Sequence, residues 1–90
     1  METYKIMVSG RVQGVGYRYY CLKTARLLDI RGYVRNASDG SVEILATGND
    51  ADLHEFIALL RQGPMFAQVT DIKIEPTRHL VTENDFRIKY

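Results

Sequence analysis

Between Tyr4 and Leu28 the spacing of apolar side chains changes from a strand's period to a helix's, and glycines mark the change. Tyr4, Ile6 and Val8 alternate with Lys5, Met7 and Ser9, the two-residue period of a half-buried strand. Gly10, Gly14 and Gly16 then break that period. From Tyr17, apolar positions recur at Tyr20, Cys21, Thr24, Leu27 and Leu28, which is one face of a helix that should end near Asp29.

The rest of the chain supplies the partners. Ile30 to Asn36 and Ser41 to Gly48 read as two strands joined by Ala37-Ser38-Asp39-Gly40. Asp-Gly between two such runs predicts a hairpin, because glycine accepts the positive φ of the turn. Asn49 or Asp50 can cap a second helix, with Leu53, Phe56, Ile57 and Leu60 as its buried stripe and Gly63-Pro64 as its stop. Phe66 to Glu75 reads as a fourth strand, with Val69, Ile72 and Ile74 as its apolar positions, and Phe86 and Ile88 mark a short last strand before Tyr90. The order is β-α-β-β-α-β with an extra terminal strand. That predicts an α+β, ferredoxin-like split βαβ sandwich in one domain over residues 1–90, an antiparallel sheet with two helices on one face. Such a fold hosts many functions and decides none of them.

Composition narrows the field. At 46% hydrophobic and 26% charged residues the chain is an ordinary globular one, without repeat or linker. No apolar run reaches the ~18 residues of a membrane span. Twelve basic and eleven acidic residues are interspersed for a net charge of +1, so there is no footprint for duplex nucleic acid or an anionic membrane. The lone Cys21 cannot form an internal disulfide, and Met1 to Lys5 lacks a signal-like apolar stretch. A soluble cytoplasmic protein is expected.

The glycine segment is the first candidate site. Backbone N–H groups of Gln13, Gly14, Val15, Gly16, Tyr17 and Arg18 could converge beside a helix N-terminus and hold an anion of phosphate size. A tight strand-to-helix connection would need the same glycines. The spacing matches neither the dinucleotide fingerprint nor the Gly-Lys-Ser/Thr loop. Arg18 favours the anion, since a cation in the first helical turn opposes the helix dipole at about 0.3–1 kcal/mol unless an anion sits there. Asn36, at the strand end before the hairpin turn, is either an Asx-turn residue or a polar group facing a ligand.

Taken together, Gly10 to Arg18 and Gly32 to Gly48, with Asn36, Gly40 and Val42, resemble the two signatures of the acylphosphatase family. Tyr17 stands where phenylalanine is usual in that pattern. The resemblance implies hydrolysis of acyl phosphates to a carboxylate and inorganic phosphate, with Arg18 binding the phosphate and Asn36 orienting the attacking water. It implies a backbone cradle from Gln13 to Arg18, no metal or cofactor, a small-molecule substrate and a monomer. The chemistry is consistent from below. A carboxylate leaving group, whose acid has a pKa of about 4–5, needs no general acid, and the motifs contain no His and, as acidic residues, only Asp39 in the turn and Glu43 beyond it.

Other residues invite other readings. His54 and His79 lie far apart without partners at ligand spacing, so structural or surface roles fit better than metal binding. Cys21 on the helix's apolar face fits a core residue better than a nucleophile. Arg31-Gly32-Tyr33 opens like an RNA-recognition platform, but Val34 and Arg35 then depart from it. A phosphate-sensing domain would need the loop but no water-orienting amide, and a domain of a larger protein would keep both motifs.

Overall fold

The computed structural model describes residues 1–78 and 81–90, and its elements follow the expected order. They are β1 (Glu2–Arg11), α1 (Tyr17–Leu27), β2 (Arg31–Asn36), β3 (Val42–Gly48), α2 (Asp50–Gln62), β4 (Gln68–Pro76) and β5 (Phe86–Lys89). The strands form one sheet in the order β4-β1-β3-β2-β5. Four of them pair antiparallel, and β5 joins β2 in parallel, so the ferredoxin-like sheet is mixed at that edge. The parallel pairing follows from the path of the chain. β4 runs down to the start of β1, where Pro76 faces Tyr4, and β5 begins at the same end beside Gly32.

Side chains of alternate strand residues point to opposite faces. Ile6, Val8, Val34, Val42, Ile44, Ala46 and Phe86 therefore meet Cys21, Ala25, Leu53, Phe56 and Leu60 in one core, with both helices on that face. Phe56 and Phe86 meet edge to face at 5.9 Å. In α1 the inward face carries Tyr17, Cys21, Thr24 and Ala25, whereas Leu27, expected inside, is 83% exposed. Tyr17 sets that phase. Its ring is buried, and positions 21, 24, 25 and 28 lie beneath it at helical spacing. Leu27 points about a quarter-turn away. The helix closes at Leu28, and Asp29 takes a left-handed φ of 59° before Ile30 returns to the core.

Asn49 caps α2, its side chain accepting from the Asp52 N–H at 2.8 Å, and Gly63 ends the helix with its N–H on the Leu59 carbonyl. β4 begins at Gln68 rather than Phe66, because Ala67 N–H closes a turn onto the Pro64 carbonyl. In β1 the glycine does not end the strand. Pairing with β4 shifts register between Ser9 and Gly10, and the strand continues to Arg11 through this bulge. Gly10 has φ +124°, and a Cβ there would lie 2.1 Å from the Gln68 carbonyl oxygen. That glycine serves the sheet, which leaves Gly14 and Gly16 in the loop.

Candidate active site

The loop from β1 to α1 is anchored from below and open above. Val12 is buried in the core and Val15 packs against it. Gly14 and Gly16 turn with φ of +74° and +79°, a region that costs other residues roughly 1–2 kcal/mol. Gly16 is the N-cap of α1, with no side-chain cap and no acidic residue in the first turn. Among the described residues the free N–H groups of that turn therefore have no side-chain cap, and the helix dipole adds a partial positive charge there.

Arg18 is the second residue of α1 and adds its full charge to the same end. Among the described residues it makes no ion pair. Its guanidinium carbon lies 5.0 Å from the centre of the Tyr90 ring. Gly14, Gly16 and Arg18 on one side and Ile88 and Tyr90 on the other line an open recess of about 260 Å³. Tyr17 forms part of its floor and donates its hydroxyl to the Leu60 carbonyl at 2.8 Å. Burial pushes that phenol's pKa far above its ordinary value.

Asn36 is the last residue of β2, opposite Val42 of β3. Its Oδ1 is buried and meets no donor among the described residues. Asn36 and Gln13 do not line the recess. They are linked through the hairpin instead: the Gln13 side-chain amide donates to the carbonyls of Ala37 and Ser41, at 2.9 and 2.8 Å. Asp39 works in the turn, accepting from Ser41 N–H at 2.9 Å and from the Ser41 hydroxyl, which lower its pKa. Cys21 is buried in the core and burial raises its thiol pKa well above the ordinary value, so it is inert as a nucleophile at neutral pH. His54 is exposed on α2, and His79 lies outside the described residues.

Two contacts had no signal in the residue pattern. Tyr90 reaches Arg18 only because β5 pairs in parallel and so ends at the loop's edge of the sheet. The Gln13 side chain reaches carbonyls 24 and 28 positions further along the chain.

A profile of the acylphosphatase family matches residues 4–88. The chain belongs to the acylphosphatase family. The acylphosphatase of Bacillus licheniformis is 43% identical over 90 residues, covering 100% of both chains. The crystal structure of acylphosphatase from Bacillus subtilis superposes with a TM-score of 0.95 at 42% identity, again over 100% of each chain. A similar unit occurs inside a larger protein: full-length HypF, solved in its phosphate- and nucleotide-bound form, matches with a TM-score of 0.90 at 26% identity, over 99% of this chain and 12% of that one. Acylphosphatase membership makes the chain an enzyme of the acyl phosphate-hydrolysing class.

Proposed function

We propose that Arg18 and the Gln13–Arg18 backbone hold the phosphate of an acyl phosphate while Asn36 orients the water that attacks it in line. The observation that carries this reading is the buried Asn36 Oδ1 without a donor among the described residues. A buried acceptor left unpaired costs about 1–3 kcal/mol, so it calls for a donor from outside the chain. A water that gives Oδ1 one proton presents its lone pair away from it. The loop supplies the opposite requirement, a concentration of positive charge with no acidic side chain in the first helical turn and no ion pair to Arg18 among the described residues.

In the reaction the water oxygen forms a bond to phosphorus as the bond from phosphorus to the acyl oxygen breaks. The electron pair of that bond leaves with the carboxylate, and the water's proton passes to a phosphate oxygen. Asn36 cannot take the proton, since an amide only donates and accepts hydrogen bonds. Positioning and electrostatic stabilisation suffice for such a transfer, and no metal or cofactor is invoked. The loop reads the phosphate and no motif reads the acyl group, so substrates should vary widely in that group. A monomeric, cytoplasmic enzyme is the reading that the lone buried Cys21 and the balanced charge support.

Benzoyl phosphate hydrolysis in metal-free buffer, with inorganic phosphate as competitor, tests the proposal. Asn36→Ala should lower kcat by roughly 10²-fold or more, the scale for one preorganised polar group. Wild-type turnover by that variant would overturn the assignment of Asn36. Phosphate binding without hydrolysis by the wild type would favour a sensing domain.

A further inference from the structure

We propose that the Gln13 side chain is the positioning residue that keeps the phosphate loop in register with Asn36, an inference that rests on the function proposed for those two parts. Gln13 follows buried Val12, and its Nε2 donates to two carbonyls of the β2–β3 hairpin, Ala37 at 2.9 Å and Ser41 at 2.8 Å. Ala37 directly follows Asn36, and Ser41 directly precedes Val42, the cross-strand partner of Asn36. One amide group thus grips both arms of the hairpin, immediately on the turn side of the Asn36–Val42 pair. A carboxamide nitrogen has two protons, so both are engaged by the hairpin and neither is available to a bound phosphate.

The hairpin does not need this contact to close. The Ser41 carbonyl also accepts from Ala37 N–H at 2.9 Å, the Ala37 carbonyl from Gly40 N–H at 3.3 Å, and Asp39 holds the Ser41 N–H. What Gln13 adds is a direct tie between the loop that follows β1 and the hairpin, beyond the pairing of Val8 and Asn36 with Val42 of β3. The loop carries Arg18 and the strand end carries Asn36, and β3 lies between the strands that lead to them. A transfer that depends on placing water in line with phosphorus is sensitive to the relation between loop and strand end, and a shift of about 1 Å can cost up to a hundredfold in rate.

The test is a double-mutant cycle on benzoyl phosphate hydrolysis with Gln13→Leu and Asn36→Ala. Gln13→Leu is expected to lower kcat between about ten- and a hundredfold, while KM and the inhibition constant of inorganic phosphate change less than about twofold. In the Asn36→Ala background the same substitution should lower the residual rate by less than about twofold, because Gln13 acts through Asn36. Circular dichroism reports folding. Should Gln13→Leu fail to fold, Gln13→Asn replaces it, since its shorter amide cannot span both carbonyls. Multiplicative losses in the cycle, or a loss that falls on phosphate inhibition rather than kcat, would overturn the proposal. Wild-type activity of Gln13→Leu beside a crippled Asn36→Ala would defeat this inference alone. An active Asn36→Ala would defeat the function on which it rests.

Discussion

Arg18 and Tyr90 meet at 5.0 Å, guanidinium carbon to ring centre, so the first turn of α1 and the end of the chain face each other across the recess. A cation over an exposed ring gains about 0.5–1 kcal/mol, and the ring also limits how the guanidinium can turn. Tyr90→Ala should therefore raise KM for benzoyl phosphate about two- to fivefold, with kcat changed less. Tyr90→Phe keeps the ring and should behave as wild type. Steady-state kinetics of the two variants check this, and equal KM values for both would remove the ring from substrate binding.

Arg18 stands where it harms the free helix. Arg18→Gln removes the unfavourable dipole contribution of about 0.3–1 kcal/mol together with the Tyr90 contact of similar size, so the stability of the unliganded protein should stay within about 0.5 kcal/mol of wild type. In a domain of this size that corresponds to a shift in Tm of no more than about 4 °C. The same variant should raise KM, lower kcat and lose most of the stabilisation that added phosphate gives the wild type. Thermal melts with and without phosphate separate the two effects. A larger fall in Tm without phosphate would show that Arg18 supports the fold.

Tyr17 fills the core with its ring and binds the Leu60 carbonyl with its hydroxyl at 2.8 Å. Tyr17→Phe retains the packing and leaves that carbonyl, in the last turn of α2, without the phenol. The expected cost is about 0.5–1.5 kcal/mol in a urea unfolding experiment. Activity should hold, because the ring still supports the loop. A large fall in kcat would mean that the hydroxyl positions α1 as well as stabilising it.

Glu43 lies buried on the sheet face away from the helices, accepting from Arg35 Nε at 2.8 Å and from the Tyr33 hydroxyl at 2.9 Å. The Arg35 hydrogen bond, helped by Tyr33 and opposed by burial, holds its carboxyl below the ordinary value of 4.5. A depressed folded-state pKa contributes stability above the unfolded value and loses it as pH falls through the folded one. The urea midpoint should thus drop as pH is taken below about 4–5. Glu43→Gln should flatten that slope and cost about 1–2 kcal/mol at neutral pH, the charged hydrogen bond being discounted because Arg35 is half exposed. An unchanged acid slope would exclude Glu43 as its source.

What could be read from the residues was whatever has a local cause. Alternation in Tyr4, Ile6 and Val8, the Asp39-Gly40 turn, the Asn49 cap and the Gly63 stop each act within a few positions, and each element stands where they place it. The two signatures were legible as contiguous strings, with the family that they imply. Features that depend on a distant partner were not. Gly10 has the same appearance as Gly14 until Gln68 is brought beside it. Leu27 fits the helical period, yet Tyr17 and Cys21 fix the phase that turns it outward. Tyr90 gains a place at the site only through the parallel pairing of β5, and Glu43 finds Arg35 and Tyr33 only across neighbouring strands.

The central place of β3 has a consequence for how the molecule breathes. β1 and β2, which lead into the loop and to Asn36, both hydrogen-bond to this one strand, and all seven of its residues are buried. Opening of the outer edge of β4 can expose amides to exchange with solvent deuterium while β1 and β2 stay registered through β3. Amides of β3 should exchange only when the whole sheet separates, with the protection of global unfolding. The catalytic end would then be lost in a single cooperative event, and the protein would have few partly open states in which a folded remainder keeps a misaligned site.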